Sequence, residues 1–124
     1  MPASSILLVE DDPAIAMLLE EMLLDLGADS VTVEGRLPGA MEAARHGAFD
    51  CVILDLKLHG QETFEVARTL GARGIPFAFF TGYGKDGLKE FAEHPRLPKP
   101  FGESDLEALM ERLLGQPLAR QGGR

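Results

Sequence analysis

Short apolar runs alternate along the chain with longer stretches in which apolar side chains recur three and four positions apart. These two periods separate a buried strand from a helix with one buried face. Ser5 to Val9 is the first such run and predicts a strand. Asp12 and Pro13 follow as N-cap and first helical residue, and Ile15, Leu18, Leu19, Met22, Leu23 and Leu26 keep helical spacing until Gly27 ends the run. The next unit is weaker. It comprises a strand at Val31 to Val33 and a helix from Pro38 to His46 with Ala40, Met41 and Ala44 inward, stopped by Gly47. Cys51 to Leu54 then predicts a strand, and Glu62 to Leu70 a helix with Phe64, Ala67 and Leu70 inward, closed by Gly71 and Gly74. Pro76 to Phe80 is the fourth strand. Gly82, Gly84, Gly87 and Pro95 confine the fourth helix to Lys85 through Glu93, so it is expected to be barely two turns long and mobile. Arg96 to Lys99 is a brief fifth strand, placed at a sheet edge because Pro98 cannot donate to a ladder. Ser104-Asp-Leu-Glu107 has the form of a capping box and opens a last helix with Leu106, Leu109, Met110 and Leu113 on one face.

Five strands alternating with five helices predict an α/β domain, a doubly wound parallel sheet covered on both faces, with its ligand site at the carboxyl ends of the strands. The expected domain runs over 1–115, with a disordered tail at 116–124. A chain of 124 residues has room for one core of ordinary size. No apolar run approaches the roughly 18 residues that a membrane span needs. The N-terminus lacks a basic segment and soon carries acids, so no secretion signal is expected and the cytoplasm is the expected location. The net charge of −8 opposes a phosphate backbone, which argues against nucleic acid as a partner. The single cysteine, Cys51, sits inside a strand-like run and reads as a small buried hydrophobe.

The rim carries the chemistry. Parallel strands end on one side of a sheet, so Glu10 and Asp11 after strand one, Asp55 at the end of strand three, Thr81 after strand four and Lys99 after strand five converge there. Three carboxylates a few ångströms apart repel by about 4 kcal/mol per pair at an effective dielectric near 20, and so call for a cation. Oxygen ligands suit Mg2+, while His46, His59 and His94 lack zinc spacing. A carboxylate is ionised at neutral pH and is an accepted nucleophile for phosphoryl groups, which makes Asp55 the expected phosphoacceptor. Lys99, the Thr81 hydroxyl and the Gly82 amide are then expected partners of phosphoryl oxygens. Taken one at a time, acids after strands are mostly caps or turn formers, and Asp12 keeps that reading. Gly82-Tyr-Gly-Lys85 does not fit the Walker A spacing.

Over nearly its whole length, from ILLVEDDP through VILDLKL and FFTGYG to LPKPF, the chain resembles the receiver domain of two-component response regulators. The resemblance implies strand order 2-1-3-4-5 and Glu10 and Asp11 as the acidic Mg2+ pair. It further implies Asp55 as phosphorylated aspartate and metal ligand, the Lys57 carbonyl as a further ligand, Thr81 as switch hydroxyl, Lys99 as phosphate partner and a cis bond between Lys99 and Pro100. The donor would be a histidine kinase or phosphotransfer protein and the output a protein target. The chain would not be an enzyme beyond handling its own phosphoryl group.

Most receivers carry Tyr or Phe three residues before the lysine, where this chain has Arg96. The stretch PFAFFTGYG instead resembles the PFxFATGY pattern of the single-domain FATGUY receivers, with Tyr83 as substitute for the missing aromatic. His59 stands where the common LPG turn has proline, leaving that loop less predictable. Bulky Lys57 and Tyr83 flank the site and are expected to hinder the hydrolytic water. Two other readings are a phosphorylation-independent pseudo-receiver acting as a constitutive binding module, and a flavin-binding module of the same fold. The acidic first loop argues against an FMN phosphate.

Overall fold

The computed structural model describes residues 4–82 and 85–116. Strands β1 (Ser5–Val9), β2 (Ser30–Glu34), β3 (Cys51–Asp55), β6 (Phe77–Thr81) and β7 (Arg96–Pro98) form a parallel sheet in the order β2-β1-β3-β6-β7. Short strands β4 (Lys57–Leu58) and β5 (Gln61–Glu62) pair separately as an antiparallel hairpin. With the hairpin set aside, this is the expected 2-1-3-4-5 order, and β7 with its Pro98 is the expected edge. β3 is central, and all five of its residues are buried.

Alternation along the strands divides the core into two layers. Leu7, Val9, Val52, Leu54, Phe77 and Phe79 face α2 (Leu37–His46) and α3 (Phe64–Ala72). Ile6, Leu8, Cys51, Ile53, Ala78 and Phe80 face α1 (Pro13–Leu26) and α4 (Glu103–Leu114). α1 begins and ends as expected. Asp12 Oδ1 accepts from the amides of Ala14 and Ile15 at 2.9 and 3.3 Å, and Gly27 adopts a left-handed φ of 118°. Its stripe differs from expectation at Leu18, which is 50% exposed, because Ala16 with Leu19, Leu23 and Leu26 fills the inward face.

Three local predictions need correction. α3 begins at Phe64 rather than Glu62, since Glu62 pairs with Lys57 in the hairpin. The expected capping box at Ser104 and Glu107 lies two residues out of place: α4 starts at Glu103, and the Gly102 amide donates to Asp105 Oδ2 at 2.8 Å. Glycine offers no side chain in return, so only this half of the box exists. The fourth helix is a 3₁₀ segment, Lys85–Phe91, broken at Lys89 with φ 53° and ψ −124°, and anchored in the first core layer by Leu88 and Phe91.

Candidate functional site

Five elements bring chemistry to the carboxyl rim of the sheet. The Glu10 amide donates to the Glu34 carbonyl at 3.1 Å, continuing the ladder one residue past β1 and turning the Glu10 side chain into the interior, where the residue is 3% exposed. Asp11 follows, then Asp12 as cap of α1. Asp55 ends β3, so the apolar residues behind it fix its backbone while its carboxylate meets the rim. Carboxylate oxygens of Glu10, Asp11 and Asp55 lie within 4.8 Å of one another, a group that could hold a metal ion. Glu10 Oε1 is buried without a hydrogen-bond partner among the described residues. An orphaned anionic oxygen in a cluster of hard donors is what a divalent cation such as Mg2+ would satisfy.

The charges are unevenly settled. Burial pushes the Glu10 carboxyl up to about 7, helped by the negative Asp55 and opposed by the Asp12 amide, which donates to Glu10 Oε2 at 3.0 Å, and by Lys99. Burial also raises Asp55, against the pull of Lys99. Asp11 is held low, chiefly because the His59 amide donates to its Oδ2 at 2.7 Å. His59 and Gly60 join β4 to β5 with φ of 49° and 82°, as a two-residue type I′ loop requires. The left-handed His59 thereby ties the loop after Asp55 to Asp11.

Lys99 reaches the cluster from beyond β7, with its Nζ 3.5 Å from Asp55 Oδ1. The Lys99–Pro100 peptide is cis, as the resemblance implied. Thr81 is buried at the end of β6, beyond Phe80, which pairs with Asp55 across the ladder. Lys57 opens the hairpin with its side chain exposed. Arg96 is not brought to the cluster: it is exposed on edge strand β7, beside a surface groove that His94 and Arg112 also line. Tyr83 lies outside the described residues.

Thr63 and Phe80 escaped the sequence reading. Thr63 occupies the N-cap position of α3 and is fully buried, yet its hydroxyl does not cap the helix. It donates instead to the Asp55 carbonyl at 2.6 Å, with the Leu56 carbonyl at 3.1 Å, while the Thr63 amide also donates to the Leu56 carbonyl at 3.0 Å. No local pattern marks a hydroxyl whose partner lies eight residues upstream. Phe80 reads in sequence as one more core residue of an aromatic strand.

Among solved structures, SdrG from Sphingomonas melonis Fr1 is 38% identical, with a TM-score of 0.80 over 92% of this chain and 99% of that one. The receiver domain of sensor histidine kinase PA1611 from Pseudomonas aeruginosa PAO1, crystallised with magnesium in its active-site cleft, is 26% identical, with a TM-score of 0.76 over 93% of this chain and all of that one. Among curated proteins, the transcriptional activator PfeR of Pseudomonas aeruginosa is 33% identical over 92% of this chain, and the sensor protein GacS of Pseudomonas syringae pv. syringae 28% over 94%. The chain spans only 39% of PfeR and 14% of GacS. No helix among the described residues is long and apolar enough to cross a membrane. The family model of the response regulator receiver domain matches residues 6–111, across all five strands that carry the rim, and the chain belongs to that family of two-component signalling modules.

Proposed function

We propose that the chain accepts a phosphoryl group on Asp55 from the phosphohistidine of a histidine kinase or phosphotransfer protein, in a Mg2+-dependent reaction, and signals through protein–protein contact. The supporting observation is the Asp55 carboxylate at the sheet rim, with the Lys99 ammonium 3.5 Å away on one side and Glu10 and Asp11 on the other. An Asp55 carboxylate oxygen attacks phosphorus, the phosphorus–nitrogen bond breaks, and the departing imidazole nitrogen keeps the electron pair and takes a proton. The product is an acyl phosphate on Asp55. Glu10, Asp11, Asp55 and the Lys57 carbonyl would hold Mg2+, which supplies positive charge against the phosphoryl oxygens. Lys99 neutralises another oxygen and the Thr81 hydroxyl donates to it. Their movement toward the new charge biases the surface made by residues 85–91, β7 and α4, with Tyr83 and Arg96 as its proposed switch positions.

The reading extends to a single-domain FATGUY-type receiver whose output is docking on another protein. SdrG, 39% identical in its BeF3-activated form, supports an activatable receiver over a constitutive binding module. Radiolabelled acetyl phosphate with Mg2+ should label wild-type protein once and leave Asp55→Asn unlabelled. Single-site labelling that survives Asp55→Asn removes the assignment. Beryllofluoride that shifts no amide beyond those moved by Mg2+ alone favours the constitutive module.

A further inference from the structure

Phe80 stands beside the nucleophile. Its Cα pairs with that of Asp55 in the parallel ladder, and residues in register on adjoining strands project to the same face of a sheet. The Lys99 ammonium lies 4.4 Å from the centre of the Phe80 ring while it is 3.5 Å from Asp55 Oδ1. The ring is 2% exposed and meets Phe101 edge-on, with centroids 5.4 Å apart and planes at 85°, so its face is fixed. An ammonium within about 6 Å of an aromatic face is attracted by the ring quadrupole. A lysine on a flexible stem would otherwise sample many rotamers.

On the proposed role of Lys99 at the phosphoryl group, we infer that Phe80 is a positioning residue whose π face holds the Lys99 ammonium against the Asp55 carboxylate. The lysine is thereby ordered before the phosphoryl group arrives, and that ordering is not subtracted from transition-state binding. Phe80 and Lys99 also border an apolar groove with Ile15, Leu18, Met22 and Phe101. An aliphatic residue at position 80 would keep the groove and lose the platform. The PFxFATGY pattern has alanine there, so the platform belongs to this chain rather than to the pattern.

The test incorporates mono-, tri- and pentafluorophenylalanine at position 80 of the full chain. Fluorine drains charge from the ring face with little change of shape, so packing is kept while the attraction for the ammonium fades. The rate of phosphoryl uptake from acetyl phosphate in saturating Mg2+ should fall stepwise, by roughly fivefold across the series, and Phe80→Leu should match the pentafluoro protein. Thermal midpoints across the fluorinated series should not fall. The Lys99 ε-methylene protons should resonate upfield in the wild type, through the ring current, and lose that shift in Phe80→Leu. Rates and Lys99 shifts that do not change with fluorination or with leucine overturn the inference, as does a fall in rate that tracks lost thermal stability across the series. An unlabelled wild-type protein would strike the assignment of Asp55 instead, and the Lys99 ring-current shift, which needs no phosphorylation, still decides the role of Phe80.

Discussion

Raising pH should weaken the metal-free protein across a window set by Glu10. The Glu10 carboxyl rises from 4.5 to about 7 in the fold, mainly through burial. Below pH 4.5 it is protonated whether the chain is folded or not, and folding carries no penalty from it. Between pH 4.5 and 7 the unfolded chain releases this proton while the folded protein keeps it, so each unit of pH costs the folded state about 1.4 kcal/mol. Over the whole window the loss is at most about 3 kcal/mol, reduced by whatever water enters the mouth of the site. Asp55, also raised by burial, acts with the same sign from its lower starting value of 3.8. Asp11, held low by the His59 amide, has the opposite sign and acts below pH 3.8, outside the window. For a domain of this size, 3 kcal/mol corresponds to roughly 10 °C in Tm. Calorimetry in excess chelator should therefore show Tm falling from pH 5 to pH 7.5, and Glu10→Gln should flatten that fall. Added Mg2+ selects the ionised carboxylates, so its stabilising increment should grow over the same range. A wild-type Tm that is level or rising in chelator, with the same slope in Glu10→Gln, would refute the account of Glu10 as a buried acid awaiting a cation.

Two further changes probe how the rim is held. Thr63→Val removes the hydroxyl that donates to the Asp55 carbonyl and should cost about 1–3 kcal/mol in urea unfolding at constant slope, while Thr63→Ser should keep most of the stability. Because this hydroxyl does not cap α3, that loss measures its tie to the Asp55 and Leu56 carbonyls where the chain leaves β3. Asp12→Ala should cost about 1 kcal/mol through the lost cap of α1, and calorimetric Mg2+ uptake should persist, which separates a cap from a ligand.

Much of the site was legible before any coordinate. Alternating periods specified parallel strands, and parallel strands end on one side, so Glu10, Asp11, Asp55, Thr81 and Lys99 could be assigned to one rim from their places after apolar runs. Boundaries were less secure where two local signals compete. Glu62 suits a first helical turn, yet the left-handed His59-Gly60 turn folds it back onto Lys57. Ser104 is a good cap, yet Gly102 sits where the chain enters α4 and Asp105 answers its amide. The fourth helix could be bounded by its glycines, but not foreseen as a 3₁₀ turn broken at Lys89, because Leu88 and Phe91 are drawn down into the sheet and the backbone yields to them.

The sequence by itself determined which residues could carry charge at the rim, because periodicity and punctuation act over a few neighbours and parallel strands end on one side; the strand order followed only from the resemblance to receiver domains. Only the tertiary structure decided the electrostatics and the fine positioning. Burial leaves Glu10 near neutrality with one oxygen unanswered, a loop amide holds Asp11 ionised, the Thr63 hydroxyl turns from its helix to the Asp55 carbonyl, and Phe80 lies under Lys99. Each of these depends on distances between groups far apart in the chain, and such distances exist only once both core layers have packed.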